Sequence, residues 1–335
     1  MSEEGQVTTE RRGQVLLIGL DRPAKRNAIT PELFSAAGQA YLQLDQDDDL
    51  RCAVLFAQGD HFCAGIDLMK FAPAMANGQL TLPEDALDPV GLFGPRLRKP
   101  VVSAVQGVCV GIGIELILAT EIRVADSTAR FAQIEVRRGL YPAGGATMRF
   151  PQETGWGNAM RYLLTGEEFG AEEARRIGLV QEVVAPGAQV ERAIALAELI
   201  AAKAPLGVRA TLASARLALM AGEEAAKQQL QSEFIRLLQS EDAQEGARSF
   251  FERRPPRFQG RQRGVTCIAG FQPVFCGRPT RATGGPTRFF VARKQTNRSD
   301  EDKEVHQWLT NQRFRLMDIC AGCRRSACWR MGPPY

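Results

Sequence analysis

The sequence predicts an α/β fold in which a layered core of strands and helices is followed by a mainly helical region. Two observations support this prediction. Up to about residue 145, short apolar and β-branched runs alternate with helical segments, an order typical of a layered α/β core. Beyond that point, apolar residues recur at three- and four-residue spacing, which indicates helices. With 335 residues, 44% of them apolar, the chain can bury a sizeable core.

The first predicted elements are two strands and the helix between them. Residues 13–21 (GQVLLIGLD) form a predicted strand that ends at the turn signal Asp21-Arg22-Pro23. The capping hydroxyl of Thr30, followed by a proline, predicts a helix that runs to about Asp45. Residues 52–57 (CAVLFA) have the unbroken apolar pattern of a buried strand.

The next elements surround a glycine-rich centre. A helix is expected after Asp67, then a looser proline-containing stretch over 73–89 that predicts a mobile lid, then a helix over 87–98. Strands are predicted at 101–105 and 122–125. The remaining predicted helices are 156–165, 171–177, 188–203, 206–221, 223–240 and 241–254, with a short strand at 179–184 among them.

The last 75 residues differ chemically from the rest. Residues 261–335 hold 14 Lys and Arg against 5 Asp and Glu, whereas residues 1–260 hold 28 against 33. Five of the eight cysteines also lie in this tail. Its composition predicts disorder, as an extension or an out-of-frame translation. Cys320, Cys323 and Cys328 with His306 lack a second ligand pair at zinc-site spacing, so no metal site is expected.

Targeting signals are not evident in the sequence. No apolar run reaches the roughly 18 residues that a membrane span needs, and the first residues lack the hydrophobic segment of a secretory signal. We therefore expect a soluble, cytoplasmic protein without membrane partners. No phosphate-binding P-loop or dinucleotide fingerprint is found. The expected division is a core with the active site over 1–200, a helical oligomerisation region over 201–260, and the tail.

Two glutamates occupy apolar surroundings close to glycine-rich turns. Glu115 follows Gly111-Ile112-Gly113, and Glu135 follows the apolar run that begins at Phe131. An ionisable carboxyl in an apolar run usually costs stability and therefore calls for a functional explanation. The alternative is a solvated helix glutamate at 115 and a surface strand glutamate at 135.

An ordered set of motifs resembles the crotonase (enoyl-CoA hydratase/isomerase) superfamily and is closest to the enoyl-CoA hydratases. The set is F-x-A-G-x-D-L at 62–68, K-P-V at 99–101, G-x-G-x-E-L at 111–116 and F-x-x-x-E at 131–135. The resemblance covers about residues 13 to 260. It implies a crotonase-like ββα spiral core followed by a helical trimerisation region, and hence a homotrimer or a dimer of trimers.

The resemblance also implies a reaction, the hydration of 2-trans-enoyl-CoA to 3-hydroxyacyl-CoA. The backbone N–H groups of Ala64 and Ile112 are expected to form the oxyanion hole for the thioester oxygen. Glu115 is expected to orient and deprotonate the water, and Glu135 to protonate C2. Many relatives carry glycine at position 112, so the isoleucine is expected to narrow the acyl pocket.

The remaining implied site residues bind the substrate. Lys25 and Arg26 match the loop that meets coenzyme A phosphates, and Tyr141 and Ala143 are expected to line the acyl pocket. Arg253 and Arg254 are expected to reach the coenzyme A of a neighbouring subunit. Coenzyme A contacts are also expected from the turn after Cys63, which consists of Ala64, Gly65, Ile66, Asp67 and Leu68. Asp67 is further expected to cap the following helix. The thioester is the substrate, and no metal or redox cofactor is expected.

Two alternatives remain open at this point, and a nucleophilic mechanism is not expected. The same oxyanion hole serves enoyl-CoA delta-isomerases and other acyl-CoA reactions of the superfamily, although the isomerisation needs one main carboxylate. Some relatives that resemble hydratases are non-catalytic RNA-binding proteins, but the acidic composition of residues 1–260 disfavours a nucleic-acid partner here. His61 and Cys63 adjoin the predicted oxyanion turn, yet no nucleophile elbow accompanies them, so they are interpreted as loop and buried residues.

Overall fold

Two β-sheets and the helices between them form the core of the computed structural model, which describes residues 4–76 and 85–262. The strands there are β1 (Gln6–Arg12), β2 (Val15–Asp21), β3 (Cys52–Ala57), β4 (Val101–Val105), β5 (Val108–Val110), β6 (Ile122–Asp126), β7 (Arg130–Ala132), β8 (Phe169–Gly170) and β9 (Glu182–Val184). The α-helices are α1 (Pro31–Gln46), α2 (Leu68–Ala76), α3 (Ile112–Leu118), α4 (Ala146–Thr154), α5 (Trp156–Thr165), α6 (Ala171–Ile177), α7 (Gln189–Ala201), α8 (Pro205–Ala221), α9 (Glu223–Leu238) and α10 (Glu241–Phe251).

From β4 to β7 the strands alternate between the two sheets. In the described part, the larger sheet has the order β1-β2-β3-β4-β6-β9, and the smaller one has the order β5-β7-β8. The chain places β4 in the larger sheet and β5 in the smaller one, and after α3 it repeats this step with β6 and β7. This repeated β-β-α step is the predicted spiral, and the predicted α/β class is confirmed.

The parallel part of the larger sheet is covered on both faces, which explains its continuous apolar runs. Every residue of β4 is buried. Because alternate side chains of a strand point to opposite faces, Val15 and Leu17 pack on the side of α7, whereas Leu16 and Ile18 face the main core. The helix α1 begins as predicted, since the Thr30 hydroxyl accepts the N–H of Leu33 at 3.2 Å.

The expected helix over 87–98 is wrong. The Asp88 carboxylate is buried and accepts the backbone N–H groups of Val90, Leu92 and Phe93 at 2.7–3.0 Å. A side chain that binds nearby N–H groups competes with the helical ladder and favours turns instead. Gly91 also adopts a positive φ of 59°, which interrupts a helix.

Other boundaries were only partly predicted. The edge strand β1 was missed because its polar run QVTTERR lacks an apolar face. The strand predicted over 179–184 is shorter, since only Glu182–Val184 pairs. Part of the expected lid lies outside the described residues. The same holds for the tail beyond Gln262, including His306 and the three cysteines of the rejected zinc motif.

Candidate active site

Two glycine-containing turns lie side by side where the two sheets meet. Cys63 and Cys109 form a parallel bridge, in which the Cys63 N–H donates to the Val108 carbonyl at 2.9 Å and the Val110 N–H donates to the Cys63 carbonyl at 3.0 Å. Further along, the Cα of Gly65 lies 3.8 Å from the position that a Cβ on Gly111 would occupy. The F-x-A-G-x-D-L motif and the G-x-G-x-E-L motif are therefore neighbours, as the sequence predicts.

The first turn is held by the loop of residues 22–29. The Ile29 N–H donates to the Gly65 carbonyl at 2.9 Å, and the Asp67 N–H donates to the Ile29 carbonyl at 2.8 Å. In a planar trans peptide the C=O and the following N–H point in opposite directions. Ile29 therefore fixes the direction of the Ile66 N–H, which has no hydrogen-bond partner among the described residues.

The expectation that Ala64 supplies an oxyanion donor is wrong. The Ala64 N–H donates to the Arg26 carbonyl at 2.9 Å, so it is already used within the fold. Among the described residues, the donor of this turn without a partner is the N–H of Ile66, two residues later, a residue expected from the sequence only to contact coenzyme A. The motif locates the turn, but its pairing with a distant loop decides which N–H remains free.

The second turn opens α3 and supplies the other donor. Gly111 has a φ of 56° and its carbonyl accepts the N–H groups of Ile114 and Glu115, at 2.9 and 3.3 Å. The N–H of Ile112 has no partner in the described part of the chain, as expected for the first residue of a helix. A Cβ on Gly113 would lie 2.9 Å from the Cβ of Cys63, so only glycine lets α3 approach the first turn this closely.

Glu115 is buried on α3 beside these donors, with 3% of its surface exposed. One carboxylate oxygen, Oε1, accepts the N–H groups of Gly144 at 2.6 Å and Ala146 at 3.2 Å. Burial raises the pKa of Glu115 to about 7, and the nearby Glu135 carboxylate adds to this, while the N–H groups of Ala146 and Gly144 act in the opposite direction. The group is therefore able to change its protonation state near neutral pH.

Glu135 faces the same region from a short 3-10 helix, Glu135–Arg138. Its Oε1 lies 3.0 Å from the position of a Cβ on Gly111, next to the turn that supplies the Ile112 N–H. Its Oε2 is buried and has no hydrogen-bond partner among residues 4–76 and 85–262. Burial raises the pKa of this carboxyl above its usual range. The structure thus brings the two predicted glutamates to one place, each with a pKa shifted upward.

The high pKa of Glu115 predicts a measurable cost to stability. Folding raises the pKa of the Glu115 carboxyl from 4.5 in the unfolded chain to about 7. The ionised form therefore destabilises the folded state increasingly between pH 4.5 and about 7, and by a constant amount at higher pH. Glu115→Gln removes this cost because the amide stays neutral. At about 1.4 kcal/mol per pKa unit, we expect the variant to be up to about 3 kcal/mol more stable at pH 8.

Chemical denaturation of both proteins at pH 4 and pH 8 measures this effect. The two free energies of unfolding should be similar at pH 4, because Glu115 is protonated in both states there. An equal difference between the two proteins at both pH values would show that Glu115 does not titrate as its burial indicates.

The predicted pocket residues lie at the edge of this site. Ile112 and Glu115 both pack against Gly144. A Cβ atom on Gly144 would lie 3.0 Å from the Cδ1 of Ile112 and 2.4 Å from the Oε2 of Glu115. The isoleucine therefore forms an apolar wall beside the carboxyl of Glu115. Tyr141 is 69% exposed, and Ala143 is exposed as well. Their role in an acyl pocket stays a prediction.

The predicted coenzyme A residues flank the same turns. Lys25 and Arg26 are exposed on the loop that holds the first turn, and Leu68 is half exposed at the start of α2. Asp67 forms an ion pair with the buried Arg22 at 2.9 Å, and it accepts the Lys70 N–H at 3.4 Å near the start of α2. The structure leaves the contacts of these residues with a ligand as predictions.

Of the remaining candidates, Arg254, His61 and Cys63 have structural partners. Arg254 pairs with Glu245 and Glu252, both at 2.5 Å, while Arg253 is exposed with a φ of 52°. The Nδ1 of His61 accepts the Val108 N–H at 3.2 Å. Burial raises the pKa of the Cys63 thiol to about 12, so it is protonated at neutral pH and poorly nucleophilic.

Two features are absent from the described residues. These residues contain no group of three or more His, Cys, Asp or Glu side chains that is arranged to hold a metal ion. None of their helices combines the length and the apolar character needed to cross a membrane.

Comparison with known proteins identifies one family. Residues 10–261 match the family model described as enoyl-CoA hydratase/isomerase. The chain is 39% identical to enoyl-CoA hydratase EchA19 of Mycobacterium tuberculosis, over 75% of this chain and 96% of that protein. It is 36% identical to (E)-benzylidenesuccinyl-CoA hydratase of Thauera aromatica, over 76% of this chain and 99% of that protein. Carnitinyl-CoA dehydratase of Proteus mirabilis is 34% identical, over 78% of this chain and all of the relative.

Solved structures agree with this assignment. The crystal structure of a probable enoyl-CoA hydratase/isomerase from Mycobacterium abscessus is 48% identical, with a TM-score of 0.75 over 76% of this chain and 99% of the other. The crystal structure of an enoyl-CoA hydratase from Mycobacterium tuberculosis is 35% identical, with a TM-score of 0.70 over the same shares. The motifs over residues 62–135 thus indicate the same family as the comparison over residues 10–261.

Proposed function

Since the chain belongs to the enoyl-CoA hydratase/isomerase family, we propose that it hydrates a 2-trans-enoyl-CoA thioester to a 3-hydroxyacyl-CoA. The observation that carries this proposal is a pair of carboxyl groups, the buried Glu115 and the half-buried Glu135 with its buried Oε2, beside two backbone N–H groups that have no partner among the described residues. An isomerisation that only moves a proton needs one main carboxylate, whereas the addition of water uses a base and an acid. Two carboxyl groups with raised pKa values favour hydration.

The first half of the proposed reaction uses Glu115 as the base. The thioester oxygen accepts the N–H groups of Ile66 and Ile112, which polarises the conjugated double bond. The ionised Glu115 takes a proton from a water molecule, and the water oxygen forms a bond to C3. The electron pair of the double bond moves onto the thioester, where the two N–H groups stabilise the enolate oxygen.

The second half uses Glu135 as the acid. Its protonated carboxyl delivers a proton to C2, and the enolate electrons return to form the new C–H bond and the thioester carbonyl. Glu115 ends protonated and Glu135 ionised, and solvent exchange restores the starting state. Because like charges and burial disfavour two ionised carboxylates in one site, the pair is suited to holding a single proton near neutral pH. Hydration changes no net oxidation state, so the reaction needs no redox cofactor.

Coenzyme A is proposed to bind along the loop of residues 22–29 and the turn that follows Cys63. The exposed cations of Lys25 and Arg26 favour phosphate groups. The proposed location is the cytoplasm. The relatives are named for different acyl groups, so the substrate panel should contain crotonyl-CoA together with longer-chain, aromatic and carboxylated enoyl-CoA thioesters.

The assay follows the absorbance of the conjugated enoyl thioester after addition of the purified protein. We expect a protein-dependent loss of absorbance and a 3-hydroxyacyl product for at least one panel member. A 3-enoyl-CoA serves as the comparison, because isomerisation would create the conjugated absorbance rather than remove it. Efficient conversion of the 3-enoyl thioester with no hydration of any panel member would replace the proposal by the isomerase reaction.

We also propose that the chain assembles as a homotrimer or a dimer of trimers. Large apolar side chains are exposed on the last three helices, namely Leu219, Met220, Leu230, Phe234, Ile235, Leu238, Phe250 and Phe251. Exposed apolar surface of this kind marks an interaction face. Sedimentation equilibrium is expected to give a mass of three or six chains, and a monomer at micromolar concentration would contradict the proposal.

A further inference from the structure

We propose that Asn27 is the positioning residue that aims the Ile66 N–H of the oxyanion hole. The proposal rests on the function proposed above, since the donor is needed only if a thioester enolate forms in this site. Asn27 touches neither the reacting atoms nor the two glutamates in the contacts that the structure shows. It acts through the loop of residues 22–29, whose backbone binds the turn.

The carboxamide of Asn27 is completely buried and binds three backbone groups on two segments, its own loop and residues 58–61. Its Oδ1 accepts the Arg22 N–H at 2.7 Å. Its Nδ2 donates to the Gln58 carbonyl at 2.9 Å and to the His61 carbonyl at 2.7 Å. The side chain therefore ties the loop to the segment that leads from β3 into the oxyanion turn.

The backbone at this point is also unusual. Arg26 and Asn27 have φ values of 49° and 54°, the left-handed region that asparagine tolerates better than most residues. Because two consecutive residues adopt this conformation, the loop folds back and points its polar backbone groups at the turn. The three bonds of the carboxamide stabilise a conformation that the backbone alone does not favour.

The loop that Asn27 holds makes three backbone bonds to the turn. The Arg26 carbonyl accepts the Ala64 N–H, the Ile29 N–H donates to the Gly65 carbonyl, and the Ile29 carbonyl accepts the Asp67 N–H, at 2.8–2.9 Å. The Gly65–Ile66 peptide is fixed between them. A rotation of this peptide would turn the Ile66 N–H away from the thioester oxygen, and hydrogen bonds weaken steeply as they lose alignment.

The two carboxyl groups are held by other elements. Glu115 is bound by the N–H groups of Gly144 and Ala146, and Glu135 extends from the 3-10 helix beside α5. Loss of the Asn27 bonds is therefore expected to disturb the oxyanion donor without moving the acid and the base. Since enolate stabilisation is realised in the transition state, the effect should fall on kcat rather than on KM.

Two variants separate this role from general destabilisation. Asn27→Gly removes all three side-chain bonds and suits the positive φ, whereas Asn27→Asp keeps the acceptor for the Arg22 N–H and loses both donors. The control is Asp242→Ala on α10. The Asp242 side chain is also buried, and it accepts the N–H groups of Gln259 and Gly260 at 2.7 and 2.9 Å. Each protein is assayed with the enoyl-CoA that the wild type hydrates best.

We expect kcat to fall about 10- to 100-fold in both Asn27 variants, the scale of a misplaced catalytic group, with KM changed less than twofold. The control should keep the wild-type kcat even where it is less stable. The second readout is the infrared carbonyl stretch of bound butyryl-CoA, a saturated thioester that is not hydrated. Its shift to low frequency in the wild type should diminish in both variants, and the pH dependence of kcat should not change.

The result that would overturn the proposal is a kcat and a bound carbonyl frequency equal to those of the wild type in folded Asn27→Gly or Asn27→Asp protein. Equal losses of kcat in the variants and in Asp242→Ala would also overturn it, because the effect would then be one of stability. If the wild type hydrates no substrate, the proposed function fails, while the carbonyl frequency of bound butyryl-CoA still tests the positioning role.

Discussion

Glu115→Gln is expected to lower kcat for enoyl-CoA hydration by about 10²- to 10⁴-fold, the usual contribution of a general base. The amide oxygen is still able to accept the N–H groups of Gly144 and Ala146, which bind Oε1 of the carboxylate. The amide is not, however, able to take a proton from water. Initial rates at saturating substrate, measured by loss of the enoyl absorbance, give the size of the effect.

The pH dependence of the wild type provides the second test of Glu115. The base must be ionised to act, and burial raises its pKa to about 7. We therefore expect the wild-type rate to rise with pH up to about 7 and then to level, apart from any loss at higher pH when Glu135 no longer holds its proton. The remaining activity of the variant should lack this rise. A variant with more than a tenth of the wild-type kcat would show that another group activates the water.

The sequence predicted the two carboxyl groups of the site because their motifs resemble those of the enoyl-CoA hydratases, and each also stands out locally. Glu115 and Glu135 are ionisable residues within apolar runs, and their chemical exception is visible without any three-dimensional information. The strands of the larger sheet were predicted for a similar reason, since parallel strands covered on both faces have continuous apolar runs. Features that depend on local composition were therefore accessible from the chain alone.

The proposed oxyanion donor Ile66 could not be predicted in the same way. The choice between Ala64 and Ile66 depends on hydrogen bonds from Arg26 and Ile29, which are distant in sequence and form only in the folded chain. The helix wrongly predicted over 87–98 has a local cause instead, because the buried Asp88 binds the N–H groups that a helix would have used. Long-range pairing and side-chain competition for the backbone were the missing information.

Glu135→Gln is expected to lower hydration by a similar factor of about 10²–10⁴, but for a different reason. The amide has no acidic proton to deliver to C2, so the enolate formed by water addition returns to substrate instead of proceeding. The carboxyl of Glu135 has a buried oxygen without a partner in the described structure, which leaves it free for this transfer. The loss should appear in kcat, whereas the KM for the enoyl-CoA that the wild type hydrates best should be nearly unchanged.

Exchange of the C2 protons of butyryl-CoA in D₂O distinguishes the two glutamates. This exchange needs an oxyanion hole and one carboxylate near C2, but no attack by water at C3. We therefore expect it in the wild type and in Glu115→Gln, and at least 100-fold more slowly in Glu135→Gln, on the scale of general acid–base catalysis. The deuterium content of the thioester is followed by mass spectrometry over hours. Loss of exchange in Glu115→Gln with its retention in Glu135→Gln would reverse the two roles, because the carboxyl group that reaches C2 would then be Glu115.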